Sequence, residues 1–137
     1  MVRALIHDPV LLSRKSAPAV ASDGSVADDL RDTLLFHSET CAGIAANMIG
    51  VYKNIIAVDD FGLCRVMMNA RILRREGPYQ AMESCVALLG GPRKAQRWQV
   101  IQVEYRDRNF NLHREMFSGE TAQIIQHELD HVNGVLI

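Results

Sequence analysis

Residues 118–134, SGETAQIIQHELDHVNG, constrain the fold more than any other stretch, because start, stop and face of a helix are all written in them. Ser118 stands at an N-cap position, Glu120 in the first turn, and Gly134 where a C-terminal stop belongs. His127 and His131 are four residues apart, so both imidazoles leave the same face. Two ring nitrogens so spaced can hold a divalent metal at about 2.1 Å each. Glu128 points about 100° away. It is badly placed to share such an ion and well placed to take a proton from a water beside it. The alternative is a purely structural helix. Its apolar neighbours Ile124, Ile125, Leu129 and Val132 would then enclose two histidines that need other polar partners.

Upstream, the pattern is of one early helix followed by strands. SDGSVADDLRDTLLFHSE reads as a helix capped by Ser25, with Asp28 and Asp29 in its first turn and Leu30 and Leu34 sharing a face. TCAGIAANMIG reads as a loop of small residues. NIIAVDD and LCRVMMNARIL read as strands around an Asp-Phe-Gly turn, and AMESCVALL as a further strand before the loop GGPRK. AQRWQVIQVEYRD is the clearest strand, with apolar residues on both faces for part of its length. RDRNFN then turns it back into LHREMF as an antiparallel hairpin. Strands followed by a terminal helix make an α+β domain, in which antiparallel strands pack around the closing HExxH helix.

Composition narrows the function classes. A net charge of −1 and 23% charged residues give no electrostatic case for nucleic acid or an anionic membrane. No apolar run approaches the roughly 20 residues that span a bilayer, and the N-terminal MVRALIHDPVLLSRK lacks the pattern of a secretion signal. Cys41, Cys64 and Cys85 are odd in number and irregular in spacing, which argues against a disulfide framework and for a reducing, cytoplasmic setting.

Three stretches, in order, resemble the peptide deformylase family. CAGIAANMIG (41–50) is similar to its Gly-x-Gly-φ-Ala-Ala-x-Gln-φ-Gly loop, ESCVA (83–87) to its Glu-Gly-Cys-Leu-Ser, and QHELDH (126–131) matches Gln-His-Glu-x-Asp-His throughout. DPVLLSRKSAPAV, DDLRDTL and HVNGVLI extend the likeness over nearly the whole chain, read as a single peptide-deformylase-like domain over 1–137. The resemblance implies Cys85, His127 and His131 as ligands to one divalent ion, Fe2+ or Zn2+, with Glu128 as general base and acid. It implies Gln126 and Asp130 as supports, a Glu83–Arg97 pair holding the ligand strand, and Gly43, Val86 and position 48 beside the substrate. The implied reaction removes the formyl group from the N-terminal methionine of newly made peptides, at the ribosome, with no direct nucleic-acid binding and no membrane.

The departures fall on the substrate side. Met48 replaces a glutamine that donates to the formyl oxygen, and a thioether donates nothing; losing one such donor typically costs about 10²–10³ in rate. Asn47 is displaced by about 100° if the segment is helical and substitutes poorly. Cys41 and Ser84 stand where the family has glycine, and Ala42, Val86 and Ala87 also differ, although Val86 keeps its backbone N–H. Two readings follow: a deformylase-like hydrolase with weakened or altered activity, or a non-catalytic paralogue that binds metal or peptide. A peptidase built on HExxH alone is disfavoured, because ESCVA supplies a cysteine.

Overall fold

The computed structural model describes residues 1–88 and 90–137. Its centre is one antiparallel meander of five strands: β1 (Gly43–Ala45), β2 (Ile55–Asp60), β3 (Leu63–Glu83), β4 (Arg93–Arg106) and β5 (Leu112–Ser118), in spatial order of sequence. Three helices accompany it: α1 (Pro9–Leu12), α2 (Gly24–Phe36) and α3 (Gly119–Val132). Leu30 and Leu34 of α2 and Ile125 and Val132 of α3 join Ile55, Met67, Ile101 and Val103 of the sheet in one buried core. The α+β expectation, strands packed around the closing helix, is met.

The strongest local signals produced what they promised. α3 begins after Ser118, which holds the N-cap position without a side-chain capping bond among the described residues, and stops where Gly134 takes φ +76°, a conformation that costs glycine little. In β4, Ala95, Arg97, Ile101, Val103 and Tyr105 are buried, while Trp98, Val100 and Gln102 on the other face are half-buried. The expected antiparallel β4–β5 hairpin forms, with Arg106 opposite Leu112.

Four expectations need correction. Ser25 does not cap α2, which starts at Gly24 after a 3₁₀ turn over Ala21–Asp23. Asp28 and Asp29 therefore lie beyond the first turn, where Arg108 and Arg3 meet them at 2.7 and 2.8 Å. The segment 41–50 is not simply a loop. Residues 43–45 pair with β2, and 46–49 form a 3₁₀ turn. The strand expected over AMESCVALL ends at Glu83, and its last residue, Leu89, lies outside the described residues. Conversely, the strand expected over LCRVMMNARIL does not end at Leu73 but runs on through Gly77–Pro78 to Glu83 as β3. Within β3, β2 pairs only with Leu63–Met68, so Pro78 sits on an open edge where its missing N–H breaks no ladder. Among the described residues, no helix is long and apolar enough to cross a membrane.

Candidate active site

α3 is sewn to β4 by side chains that imitate backbone. The amide of Gln126 donates to the Trp98 carbonyl and accepts from the Trp98 N–H, both at 2.9 Å. One turn on, Asp130 accepts from Arg97 at 2.8 Å. With rotation and height of the helix held, His127 and His131 turn inward, 8% and 0% exposed. Asn47, which sequence reasoning considered only as a stand-in for the missing glutamine, donates instead to the His131 carbonyl at 2.9 Å.

The strand end carrying Glu83 brings the third donor. The Cys85 sulfur and the ring nitrogens of His127 and His131 all lie within 4.8 Å of one another, and the two Nε2 atoms are 3.0 Å apart. An ion with bonds of about 2.0–2.3 Å in tetrahedral array needs donors roughly 3–4 Å apart, so the set fits. Nδ1 of His127 is 2.8 Å from Glu83 Oε1. A proton there leaves Nε2 as a lone pair aimed at its neighbours. Burial resists charge on both rings. On His127 the contacts with Cys85 and Glu83 outweigh burial and raise its pKa, whereas burial and the His127 charge lower that of His131. One thiol and two imidazoles crowded in this way suit a borderline or soft divalent cation.

Glu83 is the hub of the surrounding polar network. Arg97 reaches it through Nε at 2.9 Å and Nη2 at 2.7 Å, and Gln123 donates to it at 2.9 Å. Burial opposes its charge, but bonds from His127, Arg97 and Gln123 hold its carboxyl down at about 2. Gln123 was missed from sequence, although its place four residues before His127 puts it on the same helix face.

A cleft of about 270 Å³ opens over these groups, walled by Cys41–Gly43 on one side and Met82–Val86 on the other. Glu128 closes its floor. Its Oε1 is buried with no hydrogen-bond partner among the described residues. Burial, aided by the charge of Glu83, pushes its pKa up to about 7. Gly43 makes room for it: a Cβ at residue 43 would stand 2.7 Å from Ile124 Cγ2 and 2.9 Å from Glu128 Oε2. Gly43→Ala is therefore expected to destabilise the protein by about 1–3 kcal/mol through overpacking, read by thermal unfolding; an unchanged melting curve would show that the floor yields freely. The Cys41 thiol donates to the Gly43 carbonyl at 2.8 Å, and burial, with the Glu128 charge, pushes it up to about 12.

Of the residues expected at the substrate, Gly43 and Val86 line the cleft and Met48 does not. Met48 is fully buried, with its sulfur 3.4 Å from the Ala45 N–H.

The sequence matches the family model for polypeptide deformylase over residues 4–137. It is similar to a peptide deformylase of Clostridium beijerinckii, 47% identical over 137 residues and covering all of both chains. A peptide deformylase of Chlorobium luteolum is 31% identical over 135 residues, 92% of this chain and 70% of that one. The fold is similar to the actinonin-bound crystal structure of class I type b peptide deformylase from Acinetobacter baumannii, with a TM-score of 0.87, 26% identity, and coverage of 99% of this chain and 95% of that one.

Proposed function

This chain belongs to the peptide deformylase family and is a hydrolase of that kind; we propose that Glu128, beside a divalent ion held by Cys85, His127 and His131, frees the N-terminal methionine of new peptides from its formyl group. Fe2+ and Zn2+ both suit one sulfur and two nitrogens. The observation that carries this reading is the convergence of three donor atoms within 4.8 Å beside a buried carboxylate with an oxygen that has no partner among the described residues. A bound divalent ion supplies Lewis acidity, which polarises a carbonyl and makes water a nucleophile at neutral pH.

The chain's own groups do the rest. Glu128, lifted by burial to about 7, takes the proton of the attacking water and passes it to the leaving amine. Water and the formyl amide thus become formate and a free amine. The family resemblance assigns the Val86 N–H to the oxygen on which charge develops, and Gly43 leaves room for the Glu128 side chain. Glu83 orients His127 through Nδ1, while Gln126 and Asp130 keep α3 in register with β4. The whole of 1–137 acts as one domain. Its three free cysteines fit a reducing cytoplasm, where nascent chains are met at the ribosome.

The test is formate release from a formyl-Met peptide by protein loaded anaerobically with Fe2+. The wild type is expected to turn over, and the full-length likeness to a peptide deformylase leaves the non-catalytic reading without support. Met48→Gln, measured beside it, is expected to change kcat less than about tenfold, because residue 48 is buried outside the cleft wall. A gain of about 10²–10³ would mean that position 48 does reach the formyl oxygen. Absence of formate from both proteins would count against the hydrolase reading.

A further inference from the structure

The two histidines of the donor set are supported unequally. His127 lies inside α3, and Glu83 orients its ring through Nδ1. His131 is the last residue but one of that helix, in the turn where helices fray and carbonyls lack partners within the helix. Its Nδ1 is buried and has no hydrogen-bond partner among the described residues. A ring that turns Nε2 to an ion carries its proton on Nδ1, and that proton almost always meets a carboxylate, a carbonyl or a water.

Asn47 is the side chain placed to serve this ring. In the motif that residues 41–50 resemble, position 47 is unspecified. It belongs to the 3₁₀ turn over Ala46–Ile49, whose backbone is fixed by the Gly50 N–H on the Asn47 carbonyl at 3.1 Å and the Ile6 N–H on the Met48 carbonyl at 2.8 Å. The Asn47 side chain is 1% exposed, and its Nδ2 donates to the His131 carbonyl at 2.9 Å and to the Leu12 carbonyl at 3.3 Å. Two carbonyl neighbours settle which end of the amide is nitrogen. The Gly134 N–H donates to the same His131 oxygen at 3.0 Å. Together these donors hold the backbone from which the imidazole projects. What is left of Asn47 is Oδ1, a buried acceptor that also has no partner among the described residues. His131 needs an acceptor and Asn47 needs a donor, on residues that a 2.9 Å bond already joins.

We propose that Asn47 is a positioning residue for His131: it clamps the last turn of α3 and, through one bridging water, keeps the proton of the ring on Nδ1. The proposal rests on the metal-hydrolase reading. It gives His131 a support equivalent to the one Glu83 gives His127, but a neutral one. Without it the terminal turn is looser, the ring can change tautomer, and the ion has one donor less well aimed.

The test titrates Co2+ against a chelator in wild type, Asn47→Leu, Asn47→Ser and Val103→Ala, and records the visible absorption of each Co2+ form. Leucine matches asparagine in size and offers neither donor nor acceptor. Serine keeps one short hydroxyl and carries the test if the leucine variant does not fold. Val103, fully buried in β4, controls for general loosening of the core. Asn47→Leu is expected to lower Co2+ affinity about 10–100-fold and to move the absorption bands, with Asn47→Ser between it and wild type. Val103→Ala should melt earlier yet keep its bands and bind Co2+ within about twofold of wild type, since it touches no support of the ligands. Nitrogen-15 spectra of the ion-free proteins at neutral pH add a reading without metal: the His131 proton should sit on Nδ1 in wild type and be shared with Nε2 in Asn47→Leu. Wild-type affinity and bands in both Asn47 variants, an unmoved His131 proton, or an equal loss of affinity in Val103→Ala each overturn the proposal. All three leave the hydrolase reading intact, because wild type still holds its ion. Wild type that binds no Co2+ overturns both.

Discussion

Glu128→Gln is expected to lower kcat for formate release by about 10²–10⁴-fold while the protein still holds one divalent ion per chain. The two halves of that result have separate causes. Glutamine has the size and shape of glutamate, so the floor of the cleft keeps its packing against Gly43 and Ile124. It cannot accept a proton at neutral pH, so transfer from water to amine loses its carrier. The ion should stay, because Cys85, His127 and His131 converge on one another without help from residue 128. The ion-free fold should also become slightly more stable. A buried carboxylate is costly to ionise, which is why the pKa of Glu128 is pushed up to about 7, and a neutral amide avoids that cost. Metal analysis, steady-state kinetics and thermal unfolding of one preparation check all three. A variant that loses its ion would make Glu128 a ligand or an essential support, and a variant with undiminished kcat would remove it from the chemistry.

What was legible beforehand follows a physical pattern. α3 could be read because its periodicity, its start and the glycine at 134 are all local, and His127 and His131 shared a face by helix geometry alone. β4 and its hairpin could be read for the same reason. The 41–50 segment could not. Of Gly43, Ile44 and Ala45 only Ile44 favours a strand, and three residues flanked by small ones become β1 by pairing with Val58, Ala57 and Ile56. The continuation of β3 past Leu73 through Gly77 and Pro78 could not be read either, because whether a proline breaks a ladder depends on which edge is open. Cys85 stands far from the histidines in sequence, so no spacing rule joins it to them; only resemblance did. Position 48 was ambiguous for a related reason. Sequence can say that a donor is missing, but not whether the side chain there faces the cleft or the core.

Arg97→Ala should be the most damaging single change away from the cleft, lowering stability by about 3–5 kcal/mol. Arg97 is 4% exposed and spends its guanidinium on two carboxylates, Glu83 on its own sheet and Asp130 on α3. Its removal leaves Glu83 buried, charged and short of its main donor, and cuts one of the ties between helix and sheet. For a chain of this size the loss corresponds to a fall in melting temperature of about 10–20 °C. Arg97→Lys should recover only part of it, since an ammonium cannot make the paired contacts of Nε and Nη2. Glu83→Gln separates support of the fold from support of the site. It removes the charge that orients His127 through Nδ1 but leaves no stranded carboxylate. Its larger effect should therefore fall on the ion, with affinity reduced about 10–100-fold and a smaller change in melting temperature than in Arg97→Ala. Competition with a chelator gives the first quantity and calorimetry the second. If Arg97→Ala melts like wild type, the network is an ordinary ion pair on a half-wet surface, and the position of α3 is held by Gln126 and the apolar core alone.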